Sequence, residues 1–146
     1  MVSLRPAFIA ALNRSAEQLK MTSAEAAAHL LSDALRPYFG SEEKMRLEAE
    51  IDLLRLAERL AQSIASEGPW DPHLTLRVFK VIENDHLKLY RAATQGGDKS
   101  DINRRIGRRI REATGSAVMV ENGKPITVAV SRRDPSLISR YTLLAQ

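Results

Sequence analysis

The sequence predicts a mainly α-helical protein of five to seven helices that closes with one short C-terminal β-hairpin. Three observations predict it. Apolar residues recur at spacings of three and four along most of the chain, the spacing that lines one face of a helix. Proline and glycine punctuate that pattern at intervals suited to helix ends. After Gly115 the apolar period shortens to two around "ENGK", the signature of paired strands about a tight turn.

Pro6 fits the first turn of a helix reaching about Lys20, with Phe8, Ile9, Leu12, Ala16 and Leu19 on one face. "TSAE", Thr22 to Glu25, is a capping box: the Thr22 hydroxyl can accept from the Glu25 N–H while the Glu25 carboxylate accepts from the Thr22 N–H. The helix it opens should bury Ala26, Leu30, Leu31, Ala34 and Leu35 and stop between Pro37 and Gly40. Ser41 caps a longer helix whose stripe is Leu47, Ile51, Leu54, Ala57, Ala61 and Ile64. That helix ends at Gly68 and Pro69 and would serve as a central spine or as half of a dimer contact.

Asp71 and Pro72 start the next helical stretch, which Leu74, Val78, Ile82, Leu89 and Tyr90 carry to about Thr94, with a break at "ENDH". "QGGDKS" is a loop. Ser100 or Asp101 then opens the helix "DINRRIGRRIREATG", and Gly115 closes it. Val118 and Val120, then Ile126, Val128 and Val130, alternate on either side of Asn122-Gly123, which supplies the two positive-φ residues of a type I′ turn. Pro125 has no N–H to donate, so its strand belongs at an edge. "RRDPS" should begin a last short helix at Asp134 or Pro135 that buries Leu137, Ile138, Tyr141 and Leu144. Three segments follow: 1–40 a helical pair, 41–68 a connecting or dimerising helix, and 69–146 a basic unit.

Charge is unevenly distributed. Residues 98–146 carry ten Lys and Arg against five acids, while residues 1–97 carry twelve against thirteen. The net charge of +4 thus belongs to the C-terminal third, which points to a polyanionic partner there. No cysteine is present, so disulfides and thiolate sites are excluded. The apolar run 7–12 is too short for a secretory signal, and no apolar run approaches the roughly 18 residues of a membrane span. The expectation is a cytoplasmic protein with no membrane partner.

On a helical wheel, Ile102, Ile106, Ile110 and Ala113 fall within about 80° of arc. Arg104, Arg108 and Arg111 lie opposite, and Arg105 and Arg109 flank. Gly107, between the two faces, costs roughly 0.8–1 kcal/mol relative to alanine. A close approach to another backbone or to a phosphate would account for it.

The order helix, glycine-containing turn, basic helix and hairpin resembles the winged-helix family of DNA-binding domains over roughly residues 74–130. The resemblance implies that "DHLKLYRAA" is the supporting helix, "DINRRIGRRIREATG" the recognition helix and "VMVENGKPITVAV" the wing. It implies duplex-DNA contacts from Arg104, Arg105, Arg108, Arg109 and Arg111, with Lys124, Arg132 and Arg133 on phosphates. The physical warrant is separate: clustered cationic side chains neutralise phosphates and release counterions, and arginine pairs with guanine in the major groove.

"SAEQLKMTSAEAAAHLLSDALRPYF" is similar to a helix-turn-helix and to the helices of a ribbon-helix-helix domain, for which only "MVSLR" could supply the strand. Its second helix offers Ala24, Glu25, Ala27, Ala28 and Asp33 where a DNA reader needs basic or amide groups, so helix packing, across a dimer for example, is the expected use.

No enzyme, cofactor or metal is expected. His29, His73 and His86 have no paired-ligand spacing; Glu83, Asp85 and His86 read as a capped turn; and the chain lacks GxSxG, P-loop and GxGxxG patterns. Trp70 reads as a core anchor. Two functions stay open. One is a DNA-binding protein, dimeric through helix 41–67, that acts as a transcriptional regulator or a plasmid- or phage-type accessory factor. The other is a helical interaction protein whose arginine face meets an acidic partner.

Overall fold

The computed structural model describes residues 5–95 and 97–146. Met1 to Leu4, which hold most of the candidate strand "MVSLR", and Gly96 in the "QGGDKS" loop lie outside them. The chain divides into two compact units, residues 1–44 and 45–146.

The first unit is a helical pair, α1 (Pro6–Leu19) and α2 (Ser23–Leu35). Lys20, at φ 53, ends α1 in the left-handed conformation. The Thr22–Glu25 capping box forms as expected, with Thr22 N–H donating to Glu25 Oε2 at 2.9 Å and Glu25 N–H to Thr22 Oγ1 at 3.3 Å. Asn13 Oδ1 accepts from the Ser23 hydroxyl at 2.7 Å and ties the two helices. A single 3₁₀ turn (Arg36–Tyr38) follows where Pro37 forbids a further α-turn.

Burial departs from expectation here. Only Ala16 and Ala26 are buried in these two helices. Phe8, Ile9, Leu19, Leu30, Leu31 and Leu35 are each at least 40% exposed. Two short helices meeting through alanines leave the larger side chains of each stripe open, because no other described residue of this unit buries them.

The second unit is built on α3 (Ser41–Ser66), whose first four residues belong to the first unit. Its buried residues are Ala49, Leu53, Leu54, Leu56, Ala57, Ala61 and Ile64, which enter the core, whereas Leu47 and Ile51 of the expected stripe are only half-buried. Around it pack α4 (Leu74–Asp85), α5 (Leu87–Thr94) and α6 (Lys99–Thr114), which bring in Leu74, Val78, Phe79, Ile82, Tyr90, Ala93, Ile102, Ile106 and Ile110. The expected break at "ENDH" is real: His86, at φ −133 and ψ 26, separates α4 from α5. Thus α3 is a spine for this unit from Ala49 to Ile64, while Met45 near its start is exposed.

The C-terminal strands correct the sequence reading. The strands are β1 (Ala117–Val118), β2 (Val120–Glu121), β3 (Lys124–Pro125), β4 (Thr127–Ala129), β5 (Arg140–Thr142) and β6 (Leu144–Ala145). The turn is as expected, with Asn122 at φ 51 and Gly123 at φ 74, but the hairpin itself is only the pair β2–β3. Below it the arms separate, and the C-terminal segment enters. β4 pairs antiparallel with β5, and β1 with β6. At the junction each segment donates to the next: Ile126 N–H to Met119 C=O, Met119 N–H to Leu143 C=O, and Leu143 N–H to Ile126 C=O, at 2.9–3.0 Å.

There is accordingly no helix after Pro135. Ile138, Tyr141 and Leu144 are buried as expected and Leu137 partly so, but from a turn and two strands. An isolated two-stranded hairpin is marginal in water, and its open edges are satisfied best by a third strand. Trp70 anchors this end, its indole N–H donating to Leu144 C=O at 3.1 Å while Leu144 N–H donates to Pro72 C=O.

Candidate nucleic-acid interface

The geometry of α6 follows from its caps and its isoleucines. Asp98 is the N-cap, two residues before the expected start; its Oδ1 accepts from the N–H and the hydroxyl of Ser100, both at 2.9 Å, and these bonds lower its pKa. Gly115, at φ 63, ends the helix in the left-handed region. Ile102, Ile106 and Ile110 are 4% exposed or less, and Ala113 is half-buried against them. That fixes the helix's rotation about its axis, and so where each arginine goes.

The flanking arginines both meet α3. Arg105 Nη1 donates to Glu50 Oε1 of α3 at 2.9 Å, with Glu50 only 15% exposed. Arg109 lies 3.8 Å from Glu58, about two turns further along α3. On the other edge of α6, Asn103 Oδ1 accepts from the Tyr90 hydroxyl of α5 at 2.9 Å. Burial raises the pKa of that phenol, against the lowering effect of the same bond. The basic helix is therefore held on both edges. Arg105, expected among the DNA contacts, is a tie to α3, whereas Arg109 makes only a long surface pair with Glu58. Replacing Arg105 with alanine should cost about 1–2 kcal/mol, because it strands a mostly buried carboxylate; urea unfolding would show a lower midpoint at constant slope.

Arg104, Arg108 and Arg111 lie on the remaining face. Arg104 is the most exposed, its side chain 74% accessible and 3.8 Å from Asp101, one turn earlier, a surface pair of little energetic weight. Arg108 and Arg111 are half-buried and close enough to repel. Desolvation first, and the Arg108 charge second, lower the Arg111 pKa, while Glu112 offsets part of this. A cationic face with internal repulsion is relieved by any anion that approaches it.

The strand region adds more cations. Lys124 sits on β3 beside the turn and is exposed. Arg132 and Arg133 are exposed in the loop between β4 and β5. Two further residues bear on this region, and neither was among the expected site residues. Lys80 of α4 donates from Nζ to Asp134 Oδ1 and to Pro135 C=O, both at 2.6 Å, and to Asp134 C=O at 3.2 Å, and so clamps the loop that carries the arginine pair. Arg140 of β5 is exposed and bonds Thr127 Oγ1 at 3.1 Å.

Other candidate chemistry is thin. A groove of about 600 Å³ runs between α3 and the α4–α5 break, lined by charges of both signs: Asp52, Glu58, Arg55, Arg59 and His86. Among the described residues no three His, Asp or Glu side chains are placed to hold a metal ion. His73 Nδ1 and the Tyr141 hydroxyl are 2.6 Å apart in a buried corner, where burial and then the Asp71 charge raise the tyrosine's pKa. No described helix is long and apolar enough to cross a membrane.

No protein-family model, curated protein or solved structure matches this chain.

Proposed function

We propose that this protein binds duplex DNA through the outer face of α6, with the β2–β3 turn and the β4–β5 loop on the flanking phosphates. One observation carries the reading. α6 is divided lengthwise into an isoleucine face sunk in the core and an arginine face turned away from it, with its other edges fastened by Arg105 and Asn103. Were the arginines only a solvated surface, ion pairs along the helix would be expected to use up their charge. Arg104 has a long contact with Asp101 and an electrostatic interaction with Asp98, yet its side chain stays 74% accessible.

The likeness to a winged-helix unit supports the same reading in part: supporting helix α5, recognition helix α6, and a two-residue wing at β2–β3. A regulator or a plasmid- or phage-type accessory factor fits such a module. The test is fluorescence anisotropy of a labelled duplex across about 50–200 mM salt, where counterion release predicts affinity falling linearly on a log–log plot. A flat response, or no binding at the low-salt end, rejects it.

A second reading is favoured by the first unit. Its exposed apolar side chains on α1 and α2 make it an association module, and a second copy of the chain is the partner we assign to it. The two readings are compatible: a dimer would carry two basic helices. Since most of the large exposed apolar side chains lie on α1 and α2, the contact is assigned to them in place of the segment 41–67.

A further inference from the structure

Gly107 stands in the middle of α6, where glycine is the costliest ordinary residue. Nothing in the chain asks for it. Its φ is not positive; among the described glycines only Gly115 and Gly123 have that conformation. It is not wedged against another element. A methyl group built at this position would meet a single neighbouring atom, Arg111 Nη1 at 3.8 Å, an ordinary van der Waals distance. An alanine would therefore fit without moving anything and would strengthen the helix. The residue is not explained by folding.

Its location suggests what does explain it. On the wheel Gly107 borders the arginine face, one turn after Arg104 and one turn before Arg111, with Arg108 next to it. Without a Cβ, the helix surface dips there by about the thickness of a methyl group, and cationic side chains rim the dip. The partly desolvated Arg111 guanidinium already reaches over it. A strand of sugar-phosphate backbone is what such a notch suits: cations to neutralise the phosphate, and a missing side chain to let the helix axis come closer.

We propose that Gly107 is the point where α6 comes nearest to the nucleic-acid backbone, and that it sets how deeply the helix seats. This rests on the DNA-binding reading above. It assigns a role to a residue with no charge and no hydrogen-bonding side chain.

The test uses Gly107→Ala and Gly107→Leu in the full chain. Both substitutions favour helix, so the melting temperature should rise by a few degrees for alanine, and circular dichroism should be preserved for both. Duplex affinity should fall by roughly tenfold for alanine and further for leucine. The slope of affinity against salt should stay that of the wild type, since no phosphate-neutralising charge is removed. A more stable protein that binds less well, at unchanged slope, is the expected result. If Gly107→Ala binds as tightly as the wild type, the inference is overturned while the charge-based reading stands. If the wild type shows no salt-dependent binding to duplex DNA, both are overturned. A binding loss seen with an acidic protein surface and not with DNA would overturn the assignment of the notch to a phosphate backbone.

Discussion

Reversing three exposed charges, Arg104→Glu, Arg132→Glu and Arg133→Glu together, should lower duplex-DNA affinity by roughly 100-fold or more near 100 mM salt, and should flatten the salt dependence by about three units of log–log slope for each chain on the duplex. The three positions are chosen because the fold makes little use of them. Arg104 has a long Asp101 contact and an electrostatic interaction with the exposed Asp98, and Arg132 and Arg133 project from a loop whose shape is held by Lys80 and by a Ser131 Oγ contact to the Arg133 N–H. Thermal melting should therefore move little. Arg105→Ala is the internal contrast. It removes the same kind of charge from the same helix but breaks the tie to Glu50, so its main effect should be on stability. Two outcomes would sink the proposal: a triple variant that binds like the wild type, or loss of binding only where the protein also unfolds. Within the triple, restoring Arg104 alone separates the helix contribution from that of the loop.

The parts of this arrangement legible in the sequence are those decided by local geometry. The capping box at Thr22, the positive-φ pair Asn122-Gly123, the break at His86 and the inward turn of Ile102, Ile106 and Ile110 each depend on residues within a few positions of one another. What was not legible depends on partners far along the chain. A helical wheel places Arg105 and Arg109 at an edge, yet cannot say that Glu50 and Glu58, about fifty residues earlier, will stand beside that edge. The segment after Pro135 shows Leu137, Ile138, Tyr141 and Leu144 at spacings that suit a helix. Its extended form is imposed by bonds to Trp70 and Pro72, seventy-odd residues away, and by the open arms of the hairpin. Lys80 was invisible as a loop clamp for the same reason: its carboxylate is at Asp134.

The N-terminal helices show the converse limit, and they lead to the second large expected effect. Amphipathic spacing says that a face wants cover but not whether the chain itself supplies it. Here it does not. Phe8 is 64% exposed and Leu31 60%, and Ile9, Leu19, Leu30 and Leu35 remain open beside them. A pair of helices this small, burying two alanines, does not hold together in water on its own apolar contacts. The surface that covers it must be apolar over a similar extent. Among the described residues of the second unit, the large exposed apolar side chains are only Met45 and Val120. The first unit is also electrically balanced, with five Lys and Arg against five Asp and Glu, so two copies can meet without the repulsion that two basic units would suffer. The wild type should accordingly sediment at twice 16.3 kDa at micromolar concentration. Phe8→Glu/Leu31→Glu should sediment as a monomer. Burying what those two side chains still expose is worth about 2–4 kcal/mol per chain and about 4–8 kcal/mol per dimer, so the dissociation constant should rise by roughly 1,000-fold or more. Glutamate is a good helix former and both sites are open, so helicity should persist and the second unit should be untouched. A wild-type monomer at tens of micromolar, or a variant that stays dimeric, would remove this assignment. The two experiments also cross. The arginine triple variant should remain a dimer, whereas the monomeric variant, with every arginine intact, should bind duplex DNA with about half the wild-type salt slope, because each particle then brings one basic face to the phosphates where the dimer brings two.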